Sequence, residues 1–163
     1  MRSLPDTSHE HHARIQAHVE RLPGLASRLD QAPDDAFAAA FADEHRFIVG
    51  QLTPHMEAIE TTLYDRLEAL MAGRHSMAPM RAEHEELRRL IGSLGEYRTR
   101  LEEGRLDAAE AMGLRRALYR LYALLKVHLA EEERYLAVLD HHLSEGEKDE
   151  LARGIEHAVQ EPL

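Results

Sequence analysis

Between Ala117 and Leu139 the chain reads ALYRLYALLKVHLAEEERYLAVL, and one histidine and one glutamate in it stand where a helical pattern calls for leucines. Apolar residues recur at Leu114, Leu118, Leu121 and Leu125, the three-and-four spacing of a helix face turned toward a core. The next two positions of that seam are His128 and Glu132, and apolar residues resume at Tyr135 and Leu139. A glutamate is almost never fully buried unless it is paired or bound to a metal, since an unpaired internal charge costs several kcal/mol. Whatever fold covers this helix must also supply partners for the polar pair in the middle of its seam.

The rest of the chain supplies more helices. Thr7 or Ser8 can cap a first one with the seam His12, Ile15, Val19, Leu22, interrupted by Pro23-Gly24. Asp34 is a candidate N-cap for a long second helix to about Ala72, with the seam Phe41, Ile48, Leu52, His55, Ile59, Leu63, Leu70 and a kink at Pro54. Ser76 and Pro79 open a third, with the seam Met80, His84, Leu87, Ile91, Leu94, Leu101, which Gly104 closes. Asp107 with Glu110 reads as a capping box for the fourth helix, to about His142. Ser144 with Glu147 reads as another, starting a short helix through Leu151, Ile155 and Val159. No stretch alternates like a strand. The expectation is an all-α chain, a bundle of four long helices plus a short C-terminal one, forming a single domain over 1–163 with its core at about 8–143 and the appended helix at about 144–160.

Composition narrows the partners. With 20 Lys and Arg against 30 Asp and Glu, the formal net charge is −10, which argues against nucleic acid, anionic membrane surfaces and acidic substrates. No cysteine is present, so disulfides, thiolate metal sites and cysteine nucleophiles are excluded. The N-terminal MRSLPDTSHEHH lacks the apolar core of a signal peptide, and no apolar run is long enough to span a bilayer; a cytoplasmic protein is the expectation. Twelve histidines are many for 163 residues, and that count points to chemistry.

An internal repeat sorts those histidines. His12, Ile15, Val19 and Leu22 superpose on His84, Leu87, Ile91 and Leu94, while Leu52, His55 and Leu63 superpose on Leu125, His128 and Leu136. Each long helix thus offers one inward histidine. A lone inward histidine is more often a hydrogen-bonded core residue than a ligand, but four at matched positions are not independent accidents. His9, His11, His18, His45, His75, His141 and His157 read as surface or rim residues, and His142 lies two heptads from His128. Four residues along a helix is about 40° past a full turn, so His128 and Glu132 project side by side, as two ligands of one ion do. With no soft ligand available, iron suits the mixed nitrogen and oxygen set, with manganese or zinc as alternatives. Glu131 reads as solvated.

The order of a single His, a His-containing acidic segment, a second single His, then HLAEE followed by an apolar residue resembles the haemerythrin-like, or HHE cation-binding, domain family. The resemblance runs from His12 to about Leu143. It implies an up-and-down four-helix bundle around a non-haem di-iron centre, with acidic segments of the form His-x-x-x-Glu whose carboxylates bridge the ions. His12, His55, His84, His128 and Glu132 match that pattern directly. Two positions depart from it. Ile59 stands where the second helix should carry its carboxylate, and Glu60, about 140° round a regular helix from His55, is the candidate to replace it at the longer spacing that haemerythrins proper use in one acidic segment. Arg88 stands where an oxygen carrier would have a further histidine, which points to a site with fewer protein ligands and more bound water.

These features imply a protein binding one or two iron ions that meet a small diatomic or peroxide ligand (oxygen, nitric oxide or peroxide), for sensing, scavenging or iron handling. One alternative is a di-iron enzyme acting on peroxide or nitric oxide. The other is a structural or regulatory bundle that has lost its metal, for which Ile59 is the best argument.

Overall fold

The seam that begins at Leu114 becomes the buried face of a single helix, α7 (Ala108–His142), on which Leu114, Leu118, Leu121, Leu125, His128, Glu132, Leu136 and Leu139 are all covered. The computed structural model describes residues 4–71 and 74–160, with side chains over 12–71 and 74–157. Before α7 come α1 (Leu4–Val19), α2 (Leu22–Arg28), α3 (Asp35–Phe47), α4 (Thr53–Ile59), α5 (Asp65–Leu70) and α6 (Ala78–Glu102); α8 (Glu145–Gln160) follows. Among the described residues there is no strand, and no helix is long and apolar enough to cross a membrane.

Local chemistry sets most helix ends. The Asp34 side chain accepts from Phe37 N–H at 2.7 Å, Asp107 and Glu110 close a reciprocal capping box, and Ser144 and Glu147 bond in the same way before α8. Gly104, at φ 63°, takes the left-handed conformation just past α6. Pro79 sits in the first turn of α6, where its missing N–H is harmless. α1 begins at Leu4, so Thr7 and Ser8 lie inside the helix rather than at its start. The expected end of the second helix at Ala72-Gly73 lies outside the described residues, as do the side chains of His9, His11 and Val159.

The second long helix is one run, 35–70, and it is not regular. Two π-helical turns, Ile48–Leu52 and Glu60–Tyr64, interrupt α3, α4 and α5 while the backbone stays right-handed helical. Pro54 accounts for the first. It offers no N–H to Gly50 and its ring crowds that carbonyl, so the turn before it widens, and Thr53 N–H reaches five residues back to Ile48 O. At the kink expected from Pro54 the structure shows an inserted residue, the π turn Ile48–Leu52.

Two apolar clusters fill the interior. The first includes Ile15, Phe37, Phe41, Leu52, Leu87, Leu94, Leu118 and Leu121; the second includes Ile59, Leu63, Leu67, Met80, Leu136, Leu139 and Ile155. Each fully buried Leu or Ile contributes about 1.5–3 kcal/mol of hydrophobic stabilisation. Along 35–70 and α7 the chain passes from the first cluster to the second, and along α6 it returns. α8 packs on α4 and α1, burying Ala152 and Ile155. Along 35–70, α6 and α7 the inward histidine falls where one cluster gives way to the other, and on α1 His12 comes one turn before Ile15 of the first cluster.

Candidate metal centre

His12 on α1, His55 on α4, His84 on α6 and His128 with Glu132 on α7 are all buried, and they converge. Their ligand atoms form two groups, His12–His55–Glu132 and His84–His128–Glu132, each with all atoms within 4.8 Å of one another. Glu132 is common to both. Its Oε2 lies 3.1 Å from His12 Nε2 and 3.2 Å from His55 Nε2, whereas its buried Oε1 has no hydrogen-bond partner.

The second group is oriented by two further carboxylates. His84 Nδ1 meets Glu60 Oε1 at 2.8 Å and His128 Nδ1 meets Glu83 Oε2 at 2.8 Å. An imidazole whose Nδ1–H is donated to a carboxylate presents its Nε2 lone pair, and these two Nε2 atoms face each other at 2.9 Å. Two lone pairs at that distance repel unless one cation, a shared proton or a metal ion set beside the pair, accepts both. His12 points the same way: among the described residues neither of its buried ring nitrogens makes a hydrogen bond, although Nε2 lies 3.1 Å from Glu132 Oε2.

At His55 and His84 the electrostatics favour a neutral ring, and they do so beside one anion. Burial, with His12 and His128 nearby, pushes His55 below the usual imidazole range despite Glu132. Burial and His128 bring His84 down to about 4. Burial by itself would raise Glu132, but His55 and His12 hold its carboxyl well below the ordinary range, so it stays ionised. Neutral imidazoles and an ionised carboxylate are the protonation states that bind a metal.

Glu60 is not brought to the ligand atoms. It stands on the Nδ1 side of His84, 3.0 Å from an Arg88 guanidinium nitrogen. Burial would raise its carboxyl, yet Arg88 and His84 keep it below the usual range. Ile59 is fully buried in the second apolar cluster, so no carboxylate from α4 enters the site. Arg88, in place of a histidine, orients Glu60. Glu133 is half exposed and 3.9 Å from His12 Nδ1. Exposed His142 bonds to Val138 O one turn back.

Three contributors escape the sequence reading. Tyr64 is fully buried with its hydroxyl 3.3 Å from His84 Nε2. Burial, reinforced by Glu132, Glu60 and Glu83, pushes that phenol upward, so without an ion it keeps its proton. On a regular helix Tyr64, nine residues after His55, would face the opposite way; the π turn Glu60–Tyr64 rotates it back, and no sequence signal announces that turn. Glu83 is the second, betrayed only by adjacency to His84. The third lies outside both ligand groups: buried Glu44 bonds to His18 Nδ1 at 3.0 Å, and His18 stacks on Phe47. Glu44 fits the three-and-four spacing between Phe41 and Ile48, but a carboxylate at that position gives no sign of its buried partner His18.

The donor set of four imidazoles and a shared carboxylate, in which His12 and Glu132 Oε1 make no hydrogen bond among the described residues and two Nε2 atoms are opposed, fits a borderline transition metal such as iron. Comparison with known families also points to a cation. The model of the hemerythrin HHE cation binding domain matches residues 4–139, which include every residue of both groups. No curated protein and no solved structure matches the chain.

Proposed function

Since the chain belongs to the hemerythrin HHE cation-binding family, we propose that it is a non-haem iron protein whose two ion positions share Glu132 and which binds a small oxidant, dioxygen, nitric oxide or peroxide. The observation that carries this reading is the opposition of His84 Nε2 and His128 Nε2 at 2.9 Å with both Nδ1 atoms on carboxylates. His12 and His55 would hold one ion, His84 and His128 the other, with Glu132 between them. Bound iron supplies open coordination positions and one-electron changes of oxidation state. The chain does the rest: Glu60 and Glu83 fix two imidazole rings, and the apolar clusters on either side keep bulk water from the pair. With only five donors for two positions, room remains for an external ligand, which suits sensing or scavenging.

The test is elemental analysis with an absorption spectrum on protein purified from iron-supplied cells, followed by titration with each oxidant. Iron approaching two ions per chain, with a spectrum that one of the oxidants changes, is the expected result. A parent protein that takes up no iron under these conditions overturns the reading. An iron-loaded protein that responds to none of the oxidants overturns its functional half.

A further inference from the structure

We propose that the hydroxyl of Tyr64 is a fourth protein donor to the ion held by His84, His128 and Glu132, an inference that rests on the iron-binding reading above. Among the described residues, the hydroxyl's hydrogen bond goes to His84 Nε2, at 3.3 Å. An ion in that position takes the same nitrogen lone pair. The hydroxyl of a fully buried residue then loses its acceptor and needs another partner.

Its location makes the ion that partner. Two donors each about 2.1 Å from one ion stand about 3.0 Å apart at right angles and about 3.4 Å apart at a tetrahedral angle. The separation of Tyr64 Oη from His84 Nε2 falls within that interval, and that of His84 Nε2 from His128 Nε2, at 2.9 Å, falls just below it. The ring is held in place: it stacks on His84 with centroids 5.4 Å apart and planes 28° apart, and the Arg81 guanidinium packs 5.5 Å from its centroid. Arg81 in turn bonds to Asp65 Oδ1 at 2.6 Å and reaches Glu60 O at 3.4 Å, which ties the clamp to both ends of the π turn.

Charge gives the reason for a phenol here. With Ile59 in the apolar cluster and Glu60 on the far side of His84, the His84–His128 position has one anionic ligand, Glu132, and shares it. A phenolate oxygen supplies the second negative donor that α4 does not. On binding, the Tyr64 O–H bond breaks, its electron pair turns to the ion and the proton leaves to solvent; no electron is transferred.

The experiment compares the full chain with Tyr64→Phe, both loaded with ferric iron and assayed for iron content. A ferric phenolate gives a visible phenolate-to-iron charge-transfer band, which neither imidazole nor carboxylate produces. The parent should show it, and Tyr64→Phe should lose it while still binding iron. Resonance Raman on parent protein grown with ring-deuterated tyrosine should place phenolate modes under the same band, a check that needs no variant. An iron-loaded parent without the band, or a variant that retains it, overturns the Tyr64 assignment and leaves the iron reading standing. A parent that takes up no iron overturns both.

Discussion

His84 and His128 turn their Nε2 atoms toward each other across 2.9 Å, and behind each ring a carboxylate, Glu60 or Glu83, holds Nδ1 at 2.8 Å. The two halves of this arrangement explain each other. The carboxylates fix which nitrogen keeps its hydrogen, and the ring orientation so fixed gathers lone pairs where a cation can sit.

Removing one ring should therefore empty its position. In His128→Ala, elemental analysis should find iron reduced by at least one ion per chain. His157→Ala, altering an exposed ring on α8, should bind as much iron as the parent. Equal losses in the two variants would show that the convergence on α7 does not bind metal.

The carboxylate behind a ring should matter without touching an ion. Glu83→Ala removes the acceptor of His128 Nδ1 while sitting at a partly exposed position. Iron affinity at one position should fall by about 10–100-fold, the usual effect of losing such a partner. The metal-free melting temperature should change little. Competition with a chelator of known affinity measures the first quantity and calorimetry the second.

Metal should also stabilise the fold, since the ligands come from four separate helical runs. An ion at about 100 times its dissociation constant adds about 2.7 kcal/mol to the native state. Chelation should lower the melting temperature; an unchanged melt after iron has demonstrably left would contradict the assignment.

The sequence carried the helices and the four histidines because their causes are local or repeated. Asp34, Asp107 with Glu110, and Ser144 with Glu147 mark helix starts through hydrogen bonds spanning three residues. His12 with His84, and His55 with His128, were separated from the other histidines by the apolar residues that accompany them in both repeats. The surroundings of the site were not legible in that way. The role of Tyr64 depends on an extra residue inserted between α4 and α5, and a 3.6-residue period projects it wrongly; Glu60 stands off the ligand atoms as that period has it, and its contact with His84 comes from α6. Glu83 acquires its role from the neighbouring helix, which sequence spacing does not reveal. Glu44 obeyed the period and still escaped, because a carboxylate between Phe41 and Ile48 reads as solvated until His18 is seen opposite it.

That pair yields a pH prediction. Burial raises the carboxyl of Glu44 above its ordinary range, although His18 and Arg21 oppose the shift. The native state then holds this proton more tightly than the unfolded chain does. The associated stability is fully present below the ordinary carboxylate range and is lost as pH rises through the raised native value. Glu44→Gln keeps an acceptor for His18 without the buried charge. Measured on metal-free protein, the melting temperature of the variant relative to the parent should rise between about pH 4 and about pH 7. A difference that shrinks over that interval would mean that the ion pair outweighs burial.

The last prediction concerns Ile59 and Glu60, where the chain departs from the His-x-x-x-Glu pattern. A glutamate at position 59 would restore the pattern on paper, four residues after His55. In the folded chain, however, Ile59 is fully enclosed by the second apolar cluster, with Leu63, Leu67, Leu136 and Ile155 among its members. Ile59→Glu would place a charge among these side chains, and breaking up such a core costs about 3–5 kcal/mol when the charge has no partner. It should lower the melting temperature steeply and leave iron per chain no higher than in the parent. Glu60→Ala tests the other side of the same helix. Because Glu60 bonds to Nδ1 of His84 and to Arg88, its loss should weaken one position by about 10–100-fold without abolishing it. Complete loss of an ion in Glu60→Ala at saturating iron would instead make Glu60 a direct ligand. A gain of iron in a stable Ile59→Glu protein would show that α4 can rotate its outer residue into the site.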